Sequence, residues 1–170
     1  MVTNPRISRT LWPLPGGVGS YLSSLVTFLE IVAGSESMDS AVASVLGHFS
    51  QVSSLKAARS YLHVVADLGL IEIDGYRVVL TEAGDEYLRT RDTSLVSQAL
   101  TARIAGVNTI LQILVSRPRR MGLIHAELQR SGFSSWRTDK QVRHRLRWLE
   151  EVGLVGKRGR GRPEYYLVER

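Results

Sequence analysis

The sequence contains no cysteine among its 170 residues, so disulfide frameworks and thiolate metal sites are excluded. Its four histidines lie far apart, and none belongs to an H-E-x-x-H pair of the kind that binds zinc on a helix. Neither a glycine-rich phosphate loop nor a G-x-S-x-G nucleophile motif occurs in the chain. Without a credible set of catalytic residues, the sequence predicts a protein that is not an enzyme and binds no cofactor or metal.

Long apolar runs are also absent. The longest stretch of low charge, residues 93–116, contains Arg103 and many serine, threonine, glutamine and asparagine side chains, which make it too polar for a membrane span. The first 17 residues lack the apolar segment of a secretory signal. We therefore expect a cytoplasmic protein with no membrane partner.

Acidic residues are scarce in the last third of the chain, and this scarcity produces the net charge of +6. Residues 1–116 carry 8 lysines and arginines against 10 acidic residues, whereas residues 117–170 carry 14 against 6. The basic excess is therefore confined to one segment. A localised excess of this kind is typical of a protein that binds a polyanion, and nucleic acid is the commonest one.

The basic segment contains an amphipathic helix, predicted over residues 138–152. Stepping 100° per residue places Val142, Leu146 and Leu149 on one stripe, which is typical of a helix that packs on a core. The opposite face carries four basic or ionisable side chains: Lys140, Arg143, His144 and Arg147. A hairpin rich in arginine follows at 156–163. A basic helix followed by a basic hairpin is the layout of a winged helix.

The same pattern occurs earlier in the chain. Shifting by 84 residues places Ala58, Leu62 and Val65 on Val142, Leu146 and Leu149, and in both copies an apolar-Gly-Leu-apolar run follows. A matched core stripe with a matched helix end indicates an internal repeat. Further helices are predicted at 20–33, 38–49, 53–68, 82–90, 94–116 (one helix, or two meeting near Gly106) and 122–129, with a hairpin about Asp74-Gly75.

These elements predict an α+β, mostly helical protein with two tandem winged-helix domains. The expected segments are a flexible N-terminal arm at 1–19, a first domain at 20–92, a connecting helix at 93–104 and a basic second domain at 105–170. For the arm, the alternative is that Leu11 and Trp12 dock on the body.

Two stretches resemble known families. The run LGLIEIDGYRVVLTEAGDEYL resembles the helix-to-wing passage of winged-helix repressors and of the N-terminal domains of Mrr-type restriction proteins, which implies a fold. The run KRGRGRP resembles the Gly-Arg-Pro core of AT-hooks and the wing of segregation-and-condensation protein B. Glu164 departs from the basic flank of an AT-hook, and the segregation-and-condensation family is usually acidic, unlike this chain.

The second domain is predicted to bind double-stranded DNA, with the helix in the major groove and the wing at the minor groove or the backbone. Arginine can read guanine and glutamine can read adenine, so the amino-terminal end of the helix has the chemistry for reading bases. Trp136 has an alternative role in packing at the edge of the core. The candidate DNA-binding residues are Trp136, Arg137, Lys140, Gln141, Arg143, His144, Arg147, Lys157, Arg158, Arg160 and Arg162.

The first domain lacks this chemistry. Ser60 and His63 stand where the second domain has His144 and Arg147, and Asp74 at the hairpin tip would repel phosphate. We expect this domain to bind DNA weakly at most and to serve as an interaction or positioning module. It or the 94–116 helix is expected to support a homodimer or a protein partner. The function predicted is a transcriptional regulator or site-binding protein at the nucleoid. The alternatives are the recognition module of a restriction or other DNA-processing system, and a chromosome-organisation scaffold.

Overall fold

A computed structural model describes residues 6–169 and contains, within them, eight α-helices and five short β-strands. No helix in this range is long and apolar enough to cross a bilayer. The elements in chain order are α1 (Tyr21–Ala33), α2 (Met38–His48), α3 (Leu55–Asp67), β1 (Ile71–Asp74), β2 (Arg77–Leu80), α4 (Glu82–Thr90), α5 (Thr93–Arg103), α6 (Val107–Ser116), β3 (Arg119–Arg120), α7 (Met121–Arg130), α8 (Lys140–Glu151), β4 (Val155–Arg158) and β5 (Glu164–Leu167).

Short polar side chains start several of these helices. Ser37 caps α2 and exchanges hydrogen bonds with Ser40 in a capping box. Thr81 accepts from the backbone N–H of Gly84 at 3.1 Å and so caps α4 directly after β2. These caps satisfy backbone donors that the first turn of a helix leaves unpaired.

The 94–116 stretch forms two helices rather than one. They are separated at Gly106, which has a φ of +83° and is therefore in the left-handed region that favours glycine. A side chain here would also meet the Trp136 ring, which lies 2.7 Å from the position of a Cβ. The break turns α6 away from α5.

The fold is mostly helical and α+β, with two small antiparallel sheets. We call α1, α2, α3, β1 and β2 the first unit, and α6, β3, α7, α8, β4 and β5 the second unit. The first unit has a two-stranded hairpin, and the second has a three-stranded sheet in the order β3-β5-β4. In the first unit a single backbone hydrogen bond, from Met38 N–H to the Tyr76 carbonyl at 2.7 Å, lies where the second unit has β3.

The repeat extends to individual hydrogen bonds. Gly69 ends α3 with a φ of +73°, and Gly153, 84 residues later, ends α8 with a φ of +72°. The next N–H bonds back into its helix in both cases, from Leu70 to the Val65 carbonyl and from Leu154 to the Leu149 carbonyl. Beyond the hairpin tips the offset is 87, because the second tip is three residues longer.

The two units share one continuous hydrophobic core. Tyr21 of α1 packs on Trp148 of α8 with ring centroids 5.1 Å apart, so the units meet directly. The described part of the N-terminal arm is packed on this body: Leu11 and Leu14 are 1% and 2% exposed. This differs from the flexible arm expected at 1–19 and follows the alternative that the arm docks on the body. The side chains of Leu11 and Leu14 are buried, and the backbone of Leu11 and Trp12 bonds to side chains of α8. Residues 1–5 lie outside the described residues.

Candidate nucleic-acid interface

Helix α8 packs on the core through the stripe that the sequence predicts. Val142, Leu146 and Leu149 are each 0% exposed. Ala58, Leu62 and Val65 are buried in the same way on α3. The helical period therefore places the inner face of α8 correctly.

The exposed face of α8 is narrower than the predicted basic face. Arg137, Lys140 and Arg143 are exposed near its amino-terminal end. Arg143 forms an ion pair with Asp139, one turn earlier, at 3.1 Å. Arg147 is half-buried beside Tyr21. Burial raises the pKa of Tyr21, although the positive charge of Arg147 opposes that rise.

The N-terminal arm covers the rest of the predicted reading face. His144 is 6% exposed, and its Nδ1 lies 2.8 Å from the Leu11 carbonyl oxygen, to which it donates. The Gln141 side-chain oxygen accepts from the Leu11 N–H at 3.2 Å. Burial lowers the pKa of His144, and neighbouring positive charges lower it further, while the bond to Leu11 opposes them. The open face expected for His144 and Gln141 is therefore corrected, since both side chains bind the arm. The helical period predicts the direction in which a side chain points, but it does not predict what covers that side chain.

Trp136 is also inside the protein, at 8% exposure. It packs on Phe133 with ring centroids 4.5 Å apart, and the Arg145 guanidinium lies 4.2 Å from its ring centroid. Trp136 therefore packs at the edge of the core, which is the alternative role given for it above. A contact to DNA would require it to leave this position.

Arg145 is a buried cation that the sequence reading missed. It is 0% exposed, and its guanidinium donates to the backbone carbonyls of Ala105, Gln141 and Arg9 at 2.7, 3.0 and 2.9 Å. Burial, and then the charge of Arg9, lower its pKa to about 9. The one available signal was its position directly before Leu146, at the edge of the core stripe. Arg145 ties α8 to the arm and to the α5–α6 connection.

The hairpin between β4 and β5 presents the predicted wing cations to solvent. Lys157, Arg158, Arg160 and Arg162 are all exposed. Lys157 pairs with Glu150 of α8 at 3.2 Å, and Arg158 pairs with Glu164 at 3.5 Å. Within residues 6–169, neither Arg160 nor Arg162 has an acidic partner within 4 Å. Gly159 and Gly161 have φ values of +90° and +76°, so the tip requires both glycines.

A second group of arginines lies beside the wing. Strand β3 pairs with β5, with Arg119 opposite Tyr165 and Arg120 opposite Glu164. Arg120 and Arg162 line one shallow cavity of about 410 Å³ at the start of α7. The Nε of Arg119 is buried without a hydrogen-bond partner. We call Arg117, Arg119, Arg120, Arg160 and Arg162 the basic edge. The run Arg117-Pro-Arg-Arg is a sequence signal for its first three arginines, although these were not among the predicted DNA-binding residues.

The equivalent surface of the first unit is weakly charged. Arg59 on α3 pairs with Asp39 at 3.2 Å, and the exposed hairpin tip carries Asp74 and Tyr76. Among the described residues, no group of three or more histidine, aspartate or glutamate side chains is placed to hold a metal ion. The charge asymmetry of the sequence is thus an asymmetry between two similar units.

Comparison of the chain with protein-family models, with curated proteins and with solved structures gives no significant match.

Proposed function

We propose that the chain binds duplex DNA through its second unit, as a regulator or site-binding protein. The observation that carries the proposal is the basic edge. Its arginines come from two separate segments, β3 and the wing, and Arg120 and Arg162 meet at one cavity. Four of these arginines are exposed, and none of the five has a carboxylate partner within 4 Å in the described part of the chain. Such a group suits a phosphate backbone, since each exposed arginine can release a counterion on binding.

The order of elements in the second unit supports a winged-helix mode of binding. A helix, a strand, two helices and a hairpin follow one another, and β5 lies between β3 and β4. In a helix-turn-helix protein the second helix of the pair enters the major groove by its amino-terminal end. Here that helix is α8, and Arg137, Lys140 and Arg143 are exposed at that end.

The docked arm decides which kind of contact dominates. Gln141 and His144 carry the chemistry for reading bases, but both bind Leu11. With the arm in place we expect phosphate contacts from the basic edge to supply most of the affinity. Lys140 and Arg143 then supply a modest base preference.

Fluorescence anisotropy with a labelled 25-base-pair duplex tests the proposal. Arg160→Ala combined with Arg162→Ala should weaken binding by about tenfold or more at moderate salt, because two phosphate contacts are lost. Lys56→Ala combined with Arg59→Ala, which removes two exposed cations from the equivalent helix of the first unit, is the matched control and should change affinity less than about twofold. Equal losses in the two double variants would contradict the assignment to the second unit.

A further inference from the structure

The internal repeat reveals a surface that is covered in the first unit and open in the second. In the first unit, α4 follows the hairpin at once and packs against α1 and β2. In the second unit, no helix follows β5 within the described residues. Helix α4, which covers this surface in the first unit, can therefore be used to interpret the exposed surface of the second unit.

Helix α4 is held in the first unit by close contact and by charge. The Thr81 N–H donates to the Leu70 carbonyl at 3.1 Å as α4 begins. At Gly84 the helix comes so near that a Cβ would lie 1.9 Å from the same carbonyl oxygen. Tyr87 is 2% exposed, and Arg91 pairs with Glu30 of α1 at 3.7 Å. The surface that α4 covers, which we call its seat, thus accepts a helix with a glycine on its inner face.

The burial pattern aligns the first helices of the two units. Residues 25, 28 and 29 of α1 and residues 110, 113 and 114 of α6 are buried in the same pattern, at an offset of 85. In this register Val26 and Glu30 on α1 correspond to Leu111 and Val115 on α6. The register one turn away, at an offset of 82, pairs Glu30 with Gln112, which lines the same groove and is also uncharged. The hairpins add two further pairs of corresponding residues, Leu70 with Leu154 and Thr81 with Val168. The Val168 N–H donates to the Leu154 carbonyl at 3.1 Å, just as the Thr81 N–H donates to the Leu70 carbonyl.

The corresponding surface of the second unit is apolar and open to solvent. Val115 is 72% exposed and Val168 is 41% exposed. A groove of about 430 Å³ runs between α6 and the end of β5, and its remaining polar lining, Asn108 and Gln112, is uncharged. Contiguous exposed apolar side chains mark sites of interaction. We call Leu111, Val115, Leu154, Leu167 and Val168 the open seat.

We propose that the open seat binds an amphipathic helix of a partner protein in the way that the first unit holds α4. The partner helix should carry glycine where it meets the Leu154 carbonyl, and an aromatic side chain or leucine one turn later. At the position of Arg91 in α4, the partner helix should carry an apolar side chain, because Val115 stands in the place of Glu30. An apolar helical face laid into a groove is an established mode of recognition. This inference goes beyond DNA binding and uses none of the basic edge.

A peptide with the sequence of residues 81–92 and the change Arg91→Leu serves as the probe. It is acetylated at its amino terminus, labelled with fluorescein and titrated with the full chain. We expect saturable binding that Val115→Asp weakens by about tenfold or more, because a carboxylate would be buried without a partner. Leu55→Asp is the matched control: Leu55 is 65% exposed in the first unit, and its change should leave peptide binding unaltered. No binding to the wild-type chain, or equal binding by Val115→Asp, overturns the proposal.

Two further measurements make the assignment specific. The wild-type chain should prefer the Arg91→Leu peptide to the unchanged one, and Val115→Glu should reverse this preference because it restores the pair that Glu30 forms with Arg91. An unchanged order of preference overturns the alignment of the two seats. Sedimentation of the chain alone should show a species that Val115→Asp does not alter. A dimer that Val115→Asp converts to a monomer would assign the seat to a second copy of the chain and overturn the partner helix.

Discussion

The Nδ1 atom of His144 lies 2.8 Å from the carbonyl oxygen of Leu11, so the chain's own N-terminal arm occupies one face of its most basic helix. The contact is reinforced one turn further along α8, where the Trp148 indole N–H donates to the Trp12 carbonyl at 2.9 Å. The Lys140 ammonium group lies 4.7 Å from the Trp12 ring centroid. The arm therefore controls which side chains of α8 face solvent.

Stability should depend on the protonation of His144. Burial lowers its pKa in the folded chain below the ordinary value of 6.5, so the unfolded chain binds a proton more readily. The neutral form contributes its stability in full above about pH 6.5, and that contribution is lost as the pH falls below this value.

Melting curves between pH 5 and 8 measure this dependence. His144→Asn keeps a donor for the Leu11 carbonyl but cannot titrate, so its melting temperature should change less with pH than that of the wild-type chain. Parallel curves for the two proteins would show that His144 does not control the acid response.

Arg145 should be far more important for stability than its exposed neighbour Arg143. Arg145→Met removes donors from three carbonyls, and we expect a loss of about 3 kcal/mol in the free energy of unfolding. Arg143→Met removes only an exposed ion pair with Asp139 and should cost less than about 1 kcal/mol. Urea denaturation of both variants gives the comparison, and similar losses would contradict the role of Arg145 as an internal tie.

Release of the arm should change how the protein reads DNA. Leu11 is 1% exposed, so Leu11→Asp should free the arm and uncover Gln141 and His144. In that background Gln141→Ala should relax base preference at one position by about 1–3 kcal/mol. In the wild-type chain Gln141→Ala should have little effect on the selected sequence. Binding-site selection from random duplexes, run on the wild-type chain, on each single variant and on the double variant, distinguishes these outcomes. A strong effect of Gln141→Ala with the arm intact would show that the docked arm does not block the predicted reading face.

Periodicity and turn chemistry were sufficient to predict the helices, the two hairpins and their repetition, but not strand β3. The stripe of Val142, Leu146 and Leu149, the glycines that end α3 and α8, and the Asp74-Gly75 turn each depend on neighbours within a few residues. Local rules therefore placed the inner faces of α3 and α8. Local rules left open whether residues 94–116 form one helix or two meeting near Gly106, since the contact that requires glycine there comes from Trp136, thirty residues away.

The candidate site was predicted less well, because its outer boundary depends on distant parts of the chain. Leu11 and His144 are separated by 133 positions, and no periodic pattern connects them. Nothing in the sequence pattern singled out Arg145, and arginine is usually exposed, yet this side chain is surrounded by three backbone carbonyls from three segments. The wing arginines were placed correctly, since a short glycine-rich tip has no space in which to bury them.

The dependence of DNA affinity on salt tests the central claim most directly. If the basic edge and the exposed end of α8 together neutralise ~5–7 phosphates, a plot of log K against log salt concentration should have a slope of about −4.5 to −6. Arg160→Ala combined with Arg162→Ala should make that slope shallower by about 2. A wild-type slope shallower than about −2, unchanged in the double variant, would show that these arginines are only a solvated surface and would contradict DNA binding by the second unit.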